Sequence, residues 1–194
     1  MKSICVFCAS SLGEREDYQL AAEALGHTLG RLNIRLIYGG AKVGLMGAVA
    51  DAVLQSGGAV TGVLPHFLSG KEIAHTGLNE LILVESMHER KLQMSKLADG
   101  FIALPGGYGT LEELLEIITW AQLGLHHKPI AVLNINGYYN HLIQLLDHMA
   151  AEGLLKERHR RMMLFTDKVE DVINVMLHYS PPVVNPLMDK LSKT

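Results

Sequence analysis

Cysteine and proline are scarce in this chain of 194 residues, which contains two of the first and six of the second. So few cysteines exclude a disulfide-stabilised secreted domain. Cys5 and Cys8 form a C-x-x-C pattern, but they lie on a predicted strand, where residues three apart point to opposite faces, and not at a helix start as in a redox pair. We therefore predict that both are buried core residues without a disulfide.

Membrane-length apolar runs and a strong net charge are also missing. No apolar run is long enough to span a bilayer, and residues 1–3 lead into an apolar strand without a small-residue cleavage site, so we expect no signal peptide. The formal net charge of -3 argues against a general nucleic-acid binder. The basic cluster between residues 156 and 161 is short and typical of a solvated helix end or loop. The composition predicts a cytoplasmic protein that binds neither nucleic acid nor membrane.

Short β-branched segments alternate along the chain with longer segments of helical period. This alternation predicts an α/β fold, a single doubly wound, Rossmann-like domain with a mainly parallel sheet flanked by helices, over residues 1–180. Prolines at 181, 182 and 186 predict an extended tail over residues 181–194. The predicted strands cover residues 4–9, 35–38, 60–64, 81–84, 101–104, 130–133 and 163–165. The predicted helices cover residues 17–32, 45–55, 87–97, 110–123, 139–151 and 169–178.

A glycine-rich turn joins a predicted strand to a predicted helix over residues 104–113, which read Leu-Pro-Gly-Gly-Tyr-Gly-Thr-Leu-Glu-Glu. We expect Gly106, Gly107 and Gly109 to permit positive φ and a close approach of ligand to backbone. The free N–H groups at the start of the helix point at such a ligand and favour an anion. The turn therefore predicts a phosphate site, with Thr110 and Glu113 at the same helix mouth.

A purely structural interpretation of this turn stays open from the residues alone. Thr110 and Glu113 have the spacing of a capping box, in which each side chain satisfies a backbone N–H at the helix start. A second polar group, Ser86-Met-His-Glu-Arg-Lys91, follows the preceding predicted strand, so Arg90 and Lys91 could face the turn across a crevice. Surface ion pairing of this group is the alternative.

A second glycine cluster covers residues 38–47, between another strand and helix. Its spacing fits neither G-x-G-x-x-G nor G-x-x-x-x-G-K-[ST], which argues against a dinucleotide cofactor or a P-loop nucleotide site. Two interpretations remain. Gly39 and Gly40 contact a nucleotide or phosphoribosyl group, or they only permit a tight turn and close packing of helix on strand.

These motifs together resemble the Lonely Guy (LOG) family, whose P-G-G-x-G-T-x-x-E signature is matched from Pro105 to Glu113. The resemblance covers nearly the whole chain and implies a cytokinin riboside 5'-monophosphate phosphoribohydrolase, with AMP also cleaved by many bacterial members. It implies Arg90 and Glu113 as the catalytic pair. It also implies a homodimer, to which the helices carrying Met94 and Trp120 could contribute. Together with the glycine turns, it gives as candidate substrate-binding residues Gly39, Gly40, Glu72, Lys91, Gly106, Gly107, Tyr108, Gly109, Thr110, Leu111, Glu112 and Thr119.

The chemistry implied by the resemblance is hydrolysis of an N-glycosidic bond through an oxocarbenium-like transition state, which a carboxylate can stabilise. No cofactor is expected. No metal is expected either, since H-E-x-x-H is absent from the sequence. Two other classes remain as alternatives. One is a non-catalytic nucleotide or molybdenum-cofactor carrier, which has less use for a carboxylate such as Glu113 beside a phosphate. The other is a pyridoxal-phosphate lysine decarboxylase, for which the sequence shows no Schiff-base lysine pattern.

Overall fold

A seven-stranded parallel sheet forms the centre of the molecule in the computed structural model, which describes residues 1–69 and 73–182. The strand order is β4-β3-β2-β1-β5-β6-β7, and every neighbouring pair is parallel. The sheet confirms the predicted doubly wound α/β class. The strands are β1 Ser3–Phe7, β2 Arg35–Tyr38, β3 Val60–Pro65, β4 Glu80–Val84, β5 Gly100–Ala103, β6 Ile130–Leu133 and β7 Met163–Thr166.

Helices cover both faces of the sheet, as expected when every connection between parallel strands crosses over it. Helices α1, α2 and α8 contribute to the buried cluster on one face, and α4, α5 and α6 contribute to the cluster on the other. The helices of the described residues are α1 Glu16–Arg31, α2 Gly44–Gln55, α3 His66–Ser69, α4 Met87–Leu97, α5 Tyr108–Gln122, α6 Asn140–Ala151, α7 Glu157–Arg160 and α8 Val169–Leu177, with a 3-10 turn at Ile135–Gly137.

Strand β1 shows why the strands read as continuous apolar runs. Ile4 and Val6 belong to the cluster under α1 and α2, whereas Cys5 and Phe7 belong to the cluster under α4 and α5. Both faces of the strand are therefore buried, and both need apolar side chains. Cys5 and Cys8 are free and buried, which confirms their prediction as core residues.

The order in which strands join the sheet has a switch point between the neighbouring strands β1 and β5. Strands β2, β3 and β4 add successively on one side of β1, and β5, β6 and β7 add on the other. In open α/β sheets the ligand crevice lies outside the carboxyl ends of the strands at such a switch point. The segments that follow β1 and β5 are residues 8–13 and the glycine turn 104–107, so the topology brings these two loops together.

Several boundaries differ from the sequence prediction. Strand β1 ends at Phe7, and helix α5 begins at Tyr108, two residues before the predicted start. The helices α3 and α7 and the 3-10 turn were not predicted; α7 carries part of the basic cluster, interpreted above as a helix end or loop. Most of the predicted tail, residues 183–194, lies outside the described residues. Within the described part of the chain, none of the helices has both the length and the apolarity needed to cross a membrane.

Candidate active site

A cavity of about 340 Å³ opens at the switch point, against the N-terminus of α5. The turn residues Gly107, Tyr108, Gly109 and Thr110 form one wall. Among the described residues, no acceptor bonds the backbone N–H groups of positions 107–110, because the first bond of the helix is donated by Leu111 to the Gly107 carbonyl. Unpaired N–H groups at a helix start, with the positive end of the helix dipole behind them, suit an anionic ligand.

The three glycines of the turn do not have the backbone conformation that we expected. None of Gly106, Gly107 and Gly109 has a positive φ, so the expectation of left-handed geometry is wrong. Their role is spatial. A Cβ atom at position 106 would lie 2.1 Å from Thr110 Oγ1, so the Thr110 side chain requires glycine there. Cβ atoms at 107 and 109 would meet nothing within 4 Å, which leaves room for a ligand to reach the backbone.

Arg90 and Glu113 also line the cavity and bond each other. Arg90 Nη1 donates to Glu113 Oε1 at 2.9 Å, and Arg90 Nε donates to the Val63 carbonyl at 3.1 Å. Both charged side chains are about nine-tenths buried, with exposed fractions of 12% and 10%. The guanidinium is thus fixed at two points, and it holds one carboxylate oxygen. The second oxygen, Oε2, accepts no hydrogen bond from the described residues.

The environment of Glu113 opposes its ionisation. Burial raises the pKa of this carboxyl group above its ordinary value, and the charge of Glu112 adds to the rise; the Arg90 guanidinium acts in the opposite direction without cancelling it. A carboxyl group in a cavity with a raised pKa and one defined cationic partner is the pattern of a general base. Glu113 is also the only carboxylate among the described residues that line this cavity.

The capping-box interpretation of Thr110 and Glu113 is wrong. The N-cap of α5 is Gly107, no side chain caps it, and Glu113 bonds Arg90 instead. At the start of α4 a related cap does form, with its second bond donated by the residue before the N-cap Ser86. There Ser86 Oγ accepts from the Glu89 backbone N–H at 3.1 Å, and Glu89 Oε2 accepts from the backbone N–H of residue 85 at 2.8 Å. The same sequence pattern therefore caps α4 and is used for an ion pair in α5.

The strand order explains how Arg90 on α4 reaches Glu113 on α5. Strands β4 and β5 are consecutive in the chain but are separated by three strands in the sheet. Helix α4 crosses back over β3, β2 and β1 on its way to β5, and its first turn passes the carboxyl end of β3. This crossing, and not adjacency of β4 and β5, brings Arg90 to Glu113.

Six predicted site residues among the described ones do not line this cavity: Gly40, Lys91, Gly106, Leu111, Glu112 and Thr119. The Lys91 ammonium forms ion pairs with Glu112 and, at 3.1 Å, with Glu116. Burial lowers the pKa of Lys91, but the bonds and charges of the two carboxylates outweigh burial and raise it. Thr119 is exposed and bonds its own helix, and Leu111 is packed against the core. Contacts of these residues with substrate stay predictions, and Glu72 lies outside the described residues.

The two candidate glycines of the second cluster, Gly39 and Gly40, differ in their position relative to the cavity. Gly39 lines the cavity, and a Cβ atom there would lie 2.1 Å from Arg90 Nη2. Gly40 has a φ of +77°, does not line the cavity, and accepts a hydrogen bond from the His75 N–H. The close-packing interpretation therefore accounts for both residues, and Gly39 has the additional property of making room for the guanidinium.

Sequence reasoning did not predict six of the residues that line the cavity: Val6, Cys8, Ala9, Ser10, Ser11 and Met46. Residues 8–11 follow the carboxyl end of β1, so the rule that sites lie at carboxyl ends of strands could have indicated the two serines. Ser10, Gly39, Met46 and Arg90 also line a second, adjoining cavity of about 530 Å³, whose remaining lining is apolar. That lining consists of Ala41, Val43, Leu64, Leu68 and Ile73.

Comparisons with known proteins find relatives that match most of the chain. A family model described as "Possible lysine decarboxylase" matches residues 46–176. A cytokinin riboside 5'-monophosphate phosphoribohydrolase of Arabidopsis thaliana is 48% identical over 180 residues, which cover 93% of this chain and 83% of that protein. A probable enzyme of the same name from Oryza sativa subsp. japonica is 47% identical, over 93% of this chain and 74% of that protein.

Solved structures share the fold at much lower identity. The molybdenum cofactor binding protein from Rippkaea orientalis matches with a TM-score of 0.68 at 17% identity, over 91% of this chain and 96% of that chain. A molybdenum cofactor carrier protein from Chlamydomonas reinhardtii matches with a TM-score of 0.65 at 17% identity, over 98% of both chains. At this identity the similarity is one of fold alone.

Proposed function

The chain belongs to the Lonely Guy (LOG) family, and on that premise we propose that it hydrolyses the N-glycosidic bond of adenosine 5'-monophosphates, including those modified at N6. The products are the free base and ribose 5-phosphate. The observation that carries this proposal is the buried Arg90–Glu113 pair in the same cavity as the open helix N-terminus. A carrier needs the N–H donors alone, whereas hydrolysis also needs a carboxylate at the reacting carbon.

The proposed reaction assigns one step to each group. The 5'-phosphate rests on the N–H groups of residues 107–110 and positions the ribose. The bond between the ribose C1' and the base nitrogen breaks as a water oxygen bonds C1', and one water proton passes to Glu113. The departing base takes a proton from solvent, and Glu113 afterwards returns its proton to solvent. The carboxylate also offsets the positive charge that develops on the sugar. Arg90 stays protonated throughout, orients Glu113 through Oε1, and leaves Oε2 available to the water.

The adjoining apolar cavity supports adenine with an N6 substituent as the leaving base. The two cavities share the lining residues Ser10, Gly39, Met46 and Arg90. A nucleotide whose phosphate is bound at α5 would therefore have its glycosidic bond near these residues and its base in the apolar cavity. Leu64, Leu68 and Ile73 offer the apolar contacts that an alkyl group favours. On this basis we propose a role in cytokinin activation or AMP hydrolysis. We also propose that the protein is cytoplasmic.

The proposal predicts a strong preference for monophosphates. Base should be released from AMP and N6-isopentenyl-AMP at least about a hundredfold faster than from adenosine, because the phosphate supplies binding energy that positions the reacting bond. Metal-free incubation with these three compounds and with lysine, followed by chromatography for free base and cadaverine, measures this preference. Measurable nucleotide binding without base release would favour the carrier. Cadaverine would favour the decarboxylase, although no lysine lines the cavity among the described residues.

The pH profile should report the raised pKa of Glu113. The carboxylate must be ionised to accept the proton, so kcat should fall as the pH drops through a value above 4.5, the ordinary pKa of a glutamate side chain. The substrate phosphate also titrates near pH 6, so the profile is measured for kcat at saturating substrate as well as for kcat/KM. An acidic limb at or below pH 4.5 in both profiles would contradict an ionised, buried Glu113 as the base.

We further propose that the active form is a homodimer. Met94 cannot supply the contact suggested by the sequence, because it is buried within its own core. The same helices expose Met87, Leu92 and Leu115 instead, and Trp120 is half-buried. Exposed apolar side chains on α4 and α5 suit a subunit contact.

A further inference from the structure

The glycine turn is held from behind by two tyrosines that the proposed reaction does not use. Tyr138 Oη donates to the Gly106 carbonyl at 2.8 Å, and Tyr139 Oη donates to the Leu104 carbonyl at 2.7 Å. Tyr139 is buried, whereas Tyr138 is 42% exposed, and the two residues lie at the start of α6, more than thirty residues from the turn in sequence. Resting on the proposed function, we propose that Tyr138 is a positioning residue that sets the phosphate-binding orientation of the turn.

The peptide bond between Gly106 and Gly107 has two polar groups that must point in opposite directions. In a trans peptide the C=O and the N–H point in opposite directions, and no cis peptide bond occurs in the described residues. The Gly106 carbonyl is directed at Tyr138, so the N–H of Gly107 in the same peptide unit points the other way. Gly107 lines the phosphate cavity, and its N–H has no acceptor among the described residues.

Without the hydrogen bond from Tyr138, the Gly106–Gly107 peptide would be unusually free to rotate. It joins two glycines, and glycine lacks the Cβ atom that restricts φ and ψ in other residues. A rotation by half a turn would replace the N–H donor with a carbonyl oxygen, whose partial negative charge repels a phosphate. The hydroxyl of Tyr138 favours the orientation that presents the donor, because the rotated peptide would lose this hydrogen bond.

The ring that carries this hydroxyl is itself well fixed. It packs edge-on against Tyr18 with a centroid distance of 5.5 Å and against Tyr139 at 5.0 Å. Phenylalanine at 138 would keep both ring contacts and remove only the hydroxyl. Tyr18 provides the matched control, since its hydroxyl makes no hydrogen bond within the described parts of the chain.

The test compares ligand binding in Tyr138→Phe, Tyr18→Phe and the unmodified protein. By calorimetry, we expect Tyr138→Phe to weaken binding of ribose 5-phosphate about fivefold to tenfold, the scale of one hydrogen bond, while adenosine binds as before. Where base release is measurable, KM for AMP should rise by the same factor, with kcat changed less than twofold. Tyr18→Phe should leave the affinity for both ligands unchanged.

The outcomes separate this inference from the proposed reaction. Calorimetry needs no turnover, so a protein that binds ribose 5-phosphate but releases no base would contradict the reaction and still decide the role of Tyr138. An equal loss of affinity for ribose 5-phosphate and adenosine would show a general structural role, and an unchanged affinity for ribose 5-phosphate would show that the hydroxyl is dispensable. Either result, or no binding of ribose 5-phosphate by the unmodified protein, overturns the inference.

Discussion

Replacing Glu113 with glutamine should lower kcat for AMP by about two orders of magnitude or more, while AMP still binds. The amide has nearly the size of the carboxyl group, and its oxygen can still accept from Arg90 Nη1, so the cavity keeps its shape. It cannot take a proton from water, and it carries no charge to offset the developing cation. The measurement is release of adenine at saturating AMP, with binding followed separately by calorimetry.

Glu116→Gln is the control for that experiment. Glu116 lies one turn further along α5 and forms an ion pair with Lys91, outside the cavity. Lys91 keeps Glu112 as a partner in this variant, so we expect turnover within about threefold of the unmodified protein, the usual scale for a partly exposed ion pair. Near-full turnover of Glu113→Gln would show that the carboxylate is not the base. An equal loss in Glu116→Gln would point to a general disturbance of α5.

The sheet was predictable because each strand carries its own signal. Both faces of the central strands are buried, so runs such as Ile130–Leu133 are apolar throughout and differ sharply from the amphipathic helices between them. The strand order is less visible in the sequence, because nothing local to β4 indicates that the chain returns from the sheet edge to the centre. That return sets the path of α4 and the position of Arg90.

Local patterns failed where a distant partner decides the outcome. Thr110 and Glu113 have the same spacing as Ser86 and Glu89, and either pair could form a capping box. Only the Ser86 pair caps its helix, because Glu113 bonds Arg90 instead. The short helices α3 and α7, of four residues each, are too brief to show a helical period at all.

Glycines raised a related difficulty. A glycine can be needed for positive φ, for contact with a neighbouring group, or for access of a ligand, and the letter in the sequence is the same. Gly40 has positive φ, Gly106 accommodates Thr110, and Gly107 leaves open space. The phosphate site at the turn stays a prediction, but the conformational reason given for its glycines was wrong.

Gly39→Ala should lower kcat/KM for AMP by about tenfold to a hundredfold with little loss of thermal stability. The new methyl group would lie 2.1 Å from Arg90 Nη2 and 3.2 Å from Met46 Sδ, both at the ends of flexible side chains. Gly39 does not have positive φ, so alanine fits the backbone. The side chain of Arg90 must therefore move, and its charge-assisted bond to Glu113 is lost or displaced, with a cost of the size expected for such a bond.

A double-mutant cycle tests whether Gly39 acts through Arg90. If the only effect of the methyl group is to displace the guanidinium, then Gly39→Ala should cause no further loss of activity in an Arg90→Ala background. The four proteins of the cycle are compared by adenine release and by thermal unfolding. Additive losses would mean that Gly39 contributes independently, as a direct contact of backbone with substrate would. A large drop in thermal stability in Gly39→Ala alone would mean that the backbone, and not the arginine, yields to the methyl group.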